Sequence, residues 1–117
     1  MRKLKLGELN RLSTEEFKNA EKLPVIVVLD NIRSAANIGS VFRTCDAFLI
    51  EAIYLVGICA TPSNRDIQKS ALGATETVDW KHFETIKDCI AALREKKCEV
   101  LTVEQSDHSV MLHDFVP

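Results

Sequence analysis

Only four glycines are spread along the 117 residues. None falls in a Gly-x-Gly-x-x-Gly, Gly-x-x-x-x-Gly-Lys-Ser/Thr or Gly-x-Ser-x-Gly pattern, which removes the dinucleotide fingerprint, the phosphate loop and the hydrolase elbow. Cys45, Cys59, Cys89 and Cys98 form no Cys-x-x-Cys pair, so zinc-ribbon and thioredoxin-like spacings are absent and the four thiols read as reduced, small apolar side chains. The three histidines, His82, His108 and His113, lack the i, i+4 spacing with acidic residues that a helical metal site needs, and no metal is expected. The longest apolar run, Val25 to Leu29, is far too short to span a bilayer, and the first residues lack the apolar core of a secretory signal. A cytoplasmic protein that avoids membranes is the expectation. Nor is there an excess of positive charge: the formal net charge is -2, so any nucleic-acid surface must be a local patch.

What remains is ordinary for one globular domain, with 46% hydrophobic and 27% charged residues and no repeat or low-complexity tract. One basic patch stands out. Arg2, Lys3, Lys5 and Arg11 crowd the first eleven residues against Glu8 alone, either as a solvated arm or as one that touches phosphates. The expected organisation is a leader, residues 1–23, and a second unit, residues 24–117. In the leader, Ser13 and Glu16 form a capping-box pattern, Phe17 supplies an apolar contact, and Pro24 ends the helix.

"VIVVLD" reads as a strand buried on both faces, because it is continuously apolar and β-branched rather than alternating. From Asn37 onward, Ile38, Val41, Phe42 and Cys45 recur at helical spacing while Gly39, Arg43 and Asp46 line a polar face. "AIYLVG" is the next buried strand. "TPSNRDIQKSALGA" supplies a loop and a short helix that Gly73 can close, and "TETVDW" a short third strand. "HFETIKDCIAALREKK" carries the stripe Ile86, Cys89, Ile90 and Leu93, with basic residues gathered in its last turns. "CEVLTVE" then reads as a fourth strand, and "QSDHSVMLHDFVP" as loop or a short helical turn. Strands alternating with helices imply an α/β fold with a parallel sheet and flanking helices.

The polar residues of "LDNIRSAANIGSVFRTCDAF" gather where a strand hands over to a helix, the place where open α/β sheets bind ligands. Asn37 is a good N-cap, and the free N–H groups of a first helical turn attract phosphate. Gly39 costs a helix roughly 1 kcal/mol relative to alanine, a cost that a ligand or another backbone passing close would justify. Arg43, a little under two turns beyond Asn37, can reach back toward the helix start with a fork that suits a phosphate or ribose oxygen, or can pair with Asp46 on the surface.

The order Asn31, Arg33, Asn37, Gly39, Arg43 resembles the first signature motif of the SpoU-type (TrmH-like) RNA 2'-O-ribose methyltransferases, and "IYLVG", "KSALGATETVDW" and "VLTVEQ" resemble the segments that follow it. The similarity runs from about Pro24 to Pro117. It implies the SPOUT fold with a deep trefoil knot, S-adenosylmethionine as methyl donor, a ribose 2'-hydroxyl of tRNA or rRNA as acceptor, and a homodimer. By position, Arg43 resembles the family's catalytic arginine, Asn37 its active-site asparagine and Glu104 a recurrent acidic residue of the site. Arg33, Asn31 and Lys69 match positions expected to meet RNA, together with Arg2, Lys3, Lys5 and Arg11 of the leader. The family's later Gly-Asn-Glu and Ser-Leu-Asn motifs, which form the knot and most of the donor pocket, do not occur in this sequence, and Leu49 replaces a common glycine. The knotted part and the cofactor-binding residues are therefore expected beyond Pro117.

A guanidinium holds its proton firmly, so Arg43 reads chiefly as an orienter and charge stabiliser, with action as a base the other option. Two further readings stand beside the enzyme: a non-catalytic RNA-binding module that retains half of the fold, and a small α/β domain whose polar helix start takes a phosphorylated metabolite.

Overall fold

The computed structural model describes residues 12–117, so Arg2, Lys3, Lys5 and Arg11 lie outside the described residues. Its centre is a three-stranded parallel sheet in the order β1 (Leu23–Asp30), β2 (Ile50–Val56), β3 (Asp79–Phe83). Because successive side chains point to opposite faces of a strand, β2 feeds two apolar layers. Ile53 and Leu55 meet α2 (Ala35–Ala47), α3 (Arg65–Ala71) and α4 (Ala74–Thr77) on one face; Ala52, Tyr54 and Val56 meet α5 (Ile86–Glu95) on the other. The same alternation sends Val27 and Leu29 to the first layer and Ile26 and Val28 to the second. "VIVVLD" is thus packed on both faces only through Ile26 to Leu29, which are half-buried; β1 is an edge strand, and Val25 and Asp30 are exposed.

The leader helix α1 (Thr14–Asn19) is capped as its sequence predicts, Ser13 Oγ accepting from Glu16 N–H at 3.1 Å, and Phe17 is buried in the first apolar layer. Pro24 does not end it. The helix stops at Asn19, and Pro24 lies inside β1 where the β1–β2 register shifts between Leu23 and Ile26, a place that needs no N–H from residue 24.

Three other boundaries differ from the sequence expectation. Thr75 to Thr77 lie in α4, not in the third strand: the chain turns at Leu72 (φ 50) and Gly73 (φ 90), and the buried Thr77 hydroxyl donates to Asp46 Oδ1 at 2.8 Å. His82 and Phe83 belong to β3, and α5 starts only after Thr85, whose side chain accepts from Asp88 N–H. Residues 98–104 form no strand. Their β-branched side chains favour extended backbone, but a strand needs a neighbour to pair with, and here the segment is exposed from Glu99 onward, Val103 fully so. A single 3-10 turn, Leu112–Asp114, follows.

Candidate functional site at the carboxyl end of the sheet

β1 ends at Asp30, and the chain turns through Asn31, Ile32 and Arg33 into α2. The N-cap of α2 is Ser34, not Asn37: Ser34 Oγ accepts from Asn37 N–H at 3.2 Å, so Asn37 stands inside the first turn and its exposed side chain is free of capping duty. The expected apolar stripe is present, with Ile38, Phe42 and Cys45 buried and Val41 half-buried.

Gly39 answers a question its sequence left open. A methyl built there would run into Ser70 Oγ and the Ile67 carbonyl and come within 3.0 Å of Ala71 N, so another backbone, that of α3, occupies the space. Ser70 Oγ donates across this seam to the Ala36 carbonyl at 2.7 Å. Asp46 joins the same side of the helix by accepting from Thr77, so of the expected polar face only Arg43 is left exposed. It forms no ion pair among the described residues.

Asn37 and Arg43 are about 9 Å apart along the helix axis and about 120° apart around it. They flank an exposed strip of small side chains, Ala36, Ser40, Thr44 and Ala47. The Ser40 and Thr44 hydroxyls are turned back onto the Ala36 and Ser40 carbonyls, each at 3.1 Å. The strip therefore presents little bulk between two exposed polar side chains.

Arg33 is exposed beside the helix start. Asn31 is differently employed: at φ 53 its Oδ1 accepts from Ile58 N–H at 3.0 Å. Lys69 is exposed on α3, on the side turned away from the Ile67–Ser70–Ala71 surface that packs against α2. Glu104 lies in the exposed segment after α5, where its Oε1 accepts from Gln105 N–H at 2.8 Å; among the described residues no bond joins it to Asn37 or Arg43.

Cys59, expected as a reduced small apolar side chain, and His82 both make bonds to the backbone near the site. Cys59 is buried after β2; its Sγ accepts from Ile32 N–H and donates to the Leu29 carbonyl, both at 3.2 Å. His82 Nε2 donates to the Gly57 carbonyl at 2.9 Å. All four cysteines are free thiols. Burial pushes Cys45 up to about 11, and burial, then the Asp30 carboxylate, pushes Cys89 upward. Among the described residues no group of three or more histidine, cysteine or acidic side chains is placed to hold a metal, and no helix is long and apolar enough to cross a membrane.

No buried side-chain nitrogen or oxygen among the described residues lacks a partner, and an open cavity of about 540 Å³, lined by Glu51, Tyr54, Trp80 and Lys96 among others, lies at the opposite, amino end of β2 and β3.

Residues 24–116 match the sequence model of the SpoU rRNA Methylase family. The chain is 26% identical over 101 residues to the 23S rRNA (guanosine-2'-O-)-methyltransferase RlmB of Neisseria meningitidis serogroup B, covering 86% of this chain and 40% of that protein. To the Vibrio cholerae RlmB it is 27% identical over 89 residues, 76% of this chain and 36% of that one. The chain thus spans less than half the length of these curated relatives. Among solved structures, the SpoU methyltransferase AviRb from Streptomyces viridochromogenes, in complex with AdoMet, superposes with a TM-score of 0.60 at 18% identity, over 76% of this chain and 31% of that one. An AdoMet-bound rRNA methyltransferase from Sinorhizobium meliloti gives 0.58 at 24% identity, over 67% and 30%. With residues 24–116 matching the family's model and the fold agreeing, this chain belongs to the SpoU rRNA methylase family.

Proposed function

We propose that the chain carries the RNA-acceptor side of an S-adenosylmethionine-dependent 2'-O-ribose methyltransferase acting on tRNA or rRNA, with rRNA favoured by the names of its relatives. One observation carries the reading: Asn37 and Arg43, in signature order, border an exposed small-residue strip of α2. Transfer of a methyl group to a ribose 2'-oxygen requires the hydroxyl to be aligned with the sulfonium carbon and its developing negative charge to be met. Arg43 does this as a fixed, forked cation and Asn37 as a neutral donor and acceptor. Glu104 joins as an acidic partner of the site. Arg33 and Lys69 serve the RNA chain around the ribose, as do Arg2, Lys3, Lys5 and Arg11 of the leader, residues 1–23, while Asn31 shapes the loop that carries Arg33. S-adenosylmethionine would supply the methyl group. A homodimer and a cytoplasmic location belong to the same reading.

The test is methylation of an rRNA fragment by a chain extended past Pro117 through the donor-binding motifs and by its Arg43→Ala variant. A loss of about a hundredfold or more is expected from removing a charge-stabilising donor; equal rates would end the assignment. A second reading, a non-catalytic RNA-binding module, draws on the exposed Arg33 and Arg43. Calorimetric titration of the extended chain with S-adenosylmethionine separates the two: salt-sensitive RNA binding without donor binding selects the module.

A further inference from the structure

The loop that joins β1 to α2 is held by side chains anchored in the turn after β2. Asn31 N–H donates to the Val56 carbonyl at 3.0 Å, and Asn31 Oδ1 accepts from Ile58 N–H at 3.0 Å. Gly57, at φ 69, lies so close beneath this amide that a methyl would collide with Oδ1. One residue further on, Cys59 Sγ reaches Ile32 N–H and the Leu29 carbonyl. The turn is itself tied to β3, because Gly57 N–H donates to the Phe83 carbonyl at 2.9 Å and its carbonyl accepts from His82.

We propose that Asn31 and Cys59 are positioning residues, which lock the Gly57–Cys59 turn onto the β1–α2 loop and so set the direction in which Arg33 meets RNA. Asn31 thereby changes role. Its acceptor is spent inside the protein, at a backbone conformation that asparagine tolerates better than most residues. Cys59 is 5% exposed and cannot touch a polynucleotide, so any effect of its replacement on RNA binding passes through the loop. The inference rests on the RNA reading above.

The experiment uses the 117-residue chain and a fluorescein-labelled hairpin RNA at low salt. Affinity is measured by anisotropy for Cys59→Ala, Cys59→Ser, Asn31→Gly, Arg33→Ala and the Cys59→Ala/Arg33→Ala double variant, with amide exchange of Ile32 and Ile58 followed by NMR. Cys59→Ala removes both sulfur bonds, and the Ile32 amide is expected to exchange about tenfold faster. RNA affinity falls roughly fivefold, and Arg33→Ala costs less in that background than in the wild type, since coupled residues are non-additive. Serine, which can donate and accept at the same place, restores both readouts. Asn31→Gly keeps the backbone conformation but frees the Ile58 amide. A Cys59→Ala variant that binds RNA like wild type, or an Arg33→Ala cost that is the same in both backgrounds, overturns the clamp and leaves the RNA reading intact. Failure of the wild type to bind overturns the RNA reading, and the clamp's role toward RNA with it.

Discussion

Replacing Gly39 by alanine tests whether the signature glycine serves packing. By intrinsic helix preference alone the change would stabilise α2 by about 1 kcal/mol. The structure opposes that gain: the added methyl meets Ser70 Oγ, the Ile67 carbonyl and Ala71 N. Two of these three atoms are backbone and cannot rotate away, so α2 and α3 must separate. Overpacking of this kind costs roughly 1–3 kcal/mol. The Ser70–Ala36 hydrogen bond, worth about 1 kcal/mol, stretches as the helices part. The net expectation is a loss of about 1–2 kcal/mol in urea denaturation, against the direction that propensity predicts. Ser70→Ala supplies the control. Alone it loses its cross-helix bond; combined with Gly39→Ala it removes one colliding atom, so the double variant is more stable than the sum of the singles by about 0.5 kcal/mol or more. A Gly39→Ala protein as stable as wild type, or strict additivity with Ser70→Ala, would refute the reasoning.

Other perturbations read different parts of the molecule. Arg43→Lys keeps the charge but not the fork; as an exposed change it should shift stability by less than about 0.5 kcal/mol while methyl transfer stays near the Arg43→Ala level. Thr77→Val removes the hydroxyl that reaches Asp46 and should lower urea stability by about 1–2 kcal/mol with RNA affinity unchanged. The Cys45 thiol, raised to about 11 by burial, holds its proton more tightly folded than unfolded. Its contribution is therefore present below pH 9 and is lost as pH rises toward 11, so denaturation midpoints should fall over that window and fall less in Cys45→Ala. Native Cys45 should also resist alkylation at pH 8, where the more exposed Cys98 reacts.

Much of the fold was legible because its signals are local. The β-branched run of β1 and the stripe Ile38, Phe42, Cys45 each fix an element from neighbours in sequence. The start of α2 was misplaced by three residues for a physical reason: Ala35 and Ala36 are too small to carry the apolar period, and two good caps, Ser34 and Asn37, stand one turn apart. The boundary between α4 and β3 depended on Thr77 finding Asp46, 31 positions away, which no local pattern encodes. The exposed segment after α5 shows the converse, since its β-branched residues announce a strand that only a partner strand can complete. Leu49, noted as a replacement for a common glycine, does adopt φ 55, so the strain a glycine would avoid is present and borne by a half-buried leucine.

The signature itself divides once its contacts are known. Gly39 admits α3, Asn31 holds the turn after β2, and Ser34 caps the helix; these residues set geometry. Asn37, Arg33 and Arg43 are exposed and make no side-chain bond or ion pair among the described residues, so their side chains are available to a ligand. A motif read as one crowd of donors is thus two sets in one stretch. The first set holds the second in place: substitutions in Gly39 or Asn31 should lower activity together with stability or loop protection, whereas substitutions in Arg43 or Asn37 should lower activity alone. That separation is what a fold must provide if a few exposed polar side chains on one helix are to meet a ribose at fixed distance.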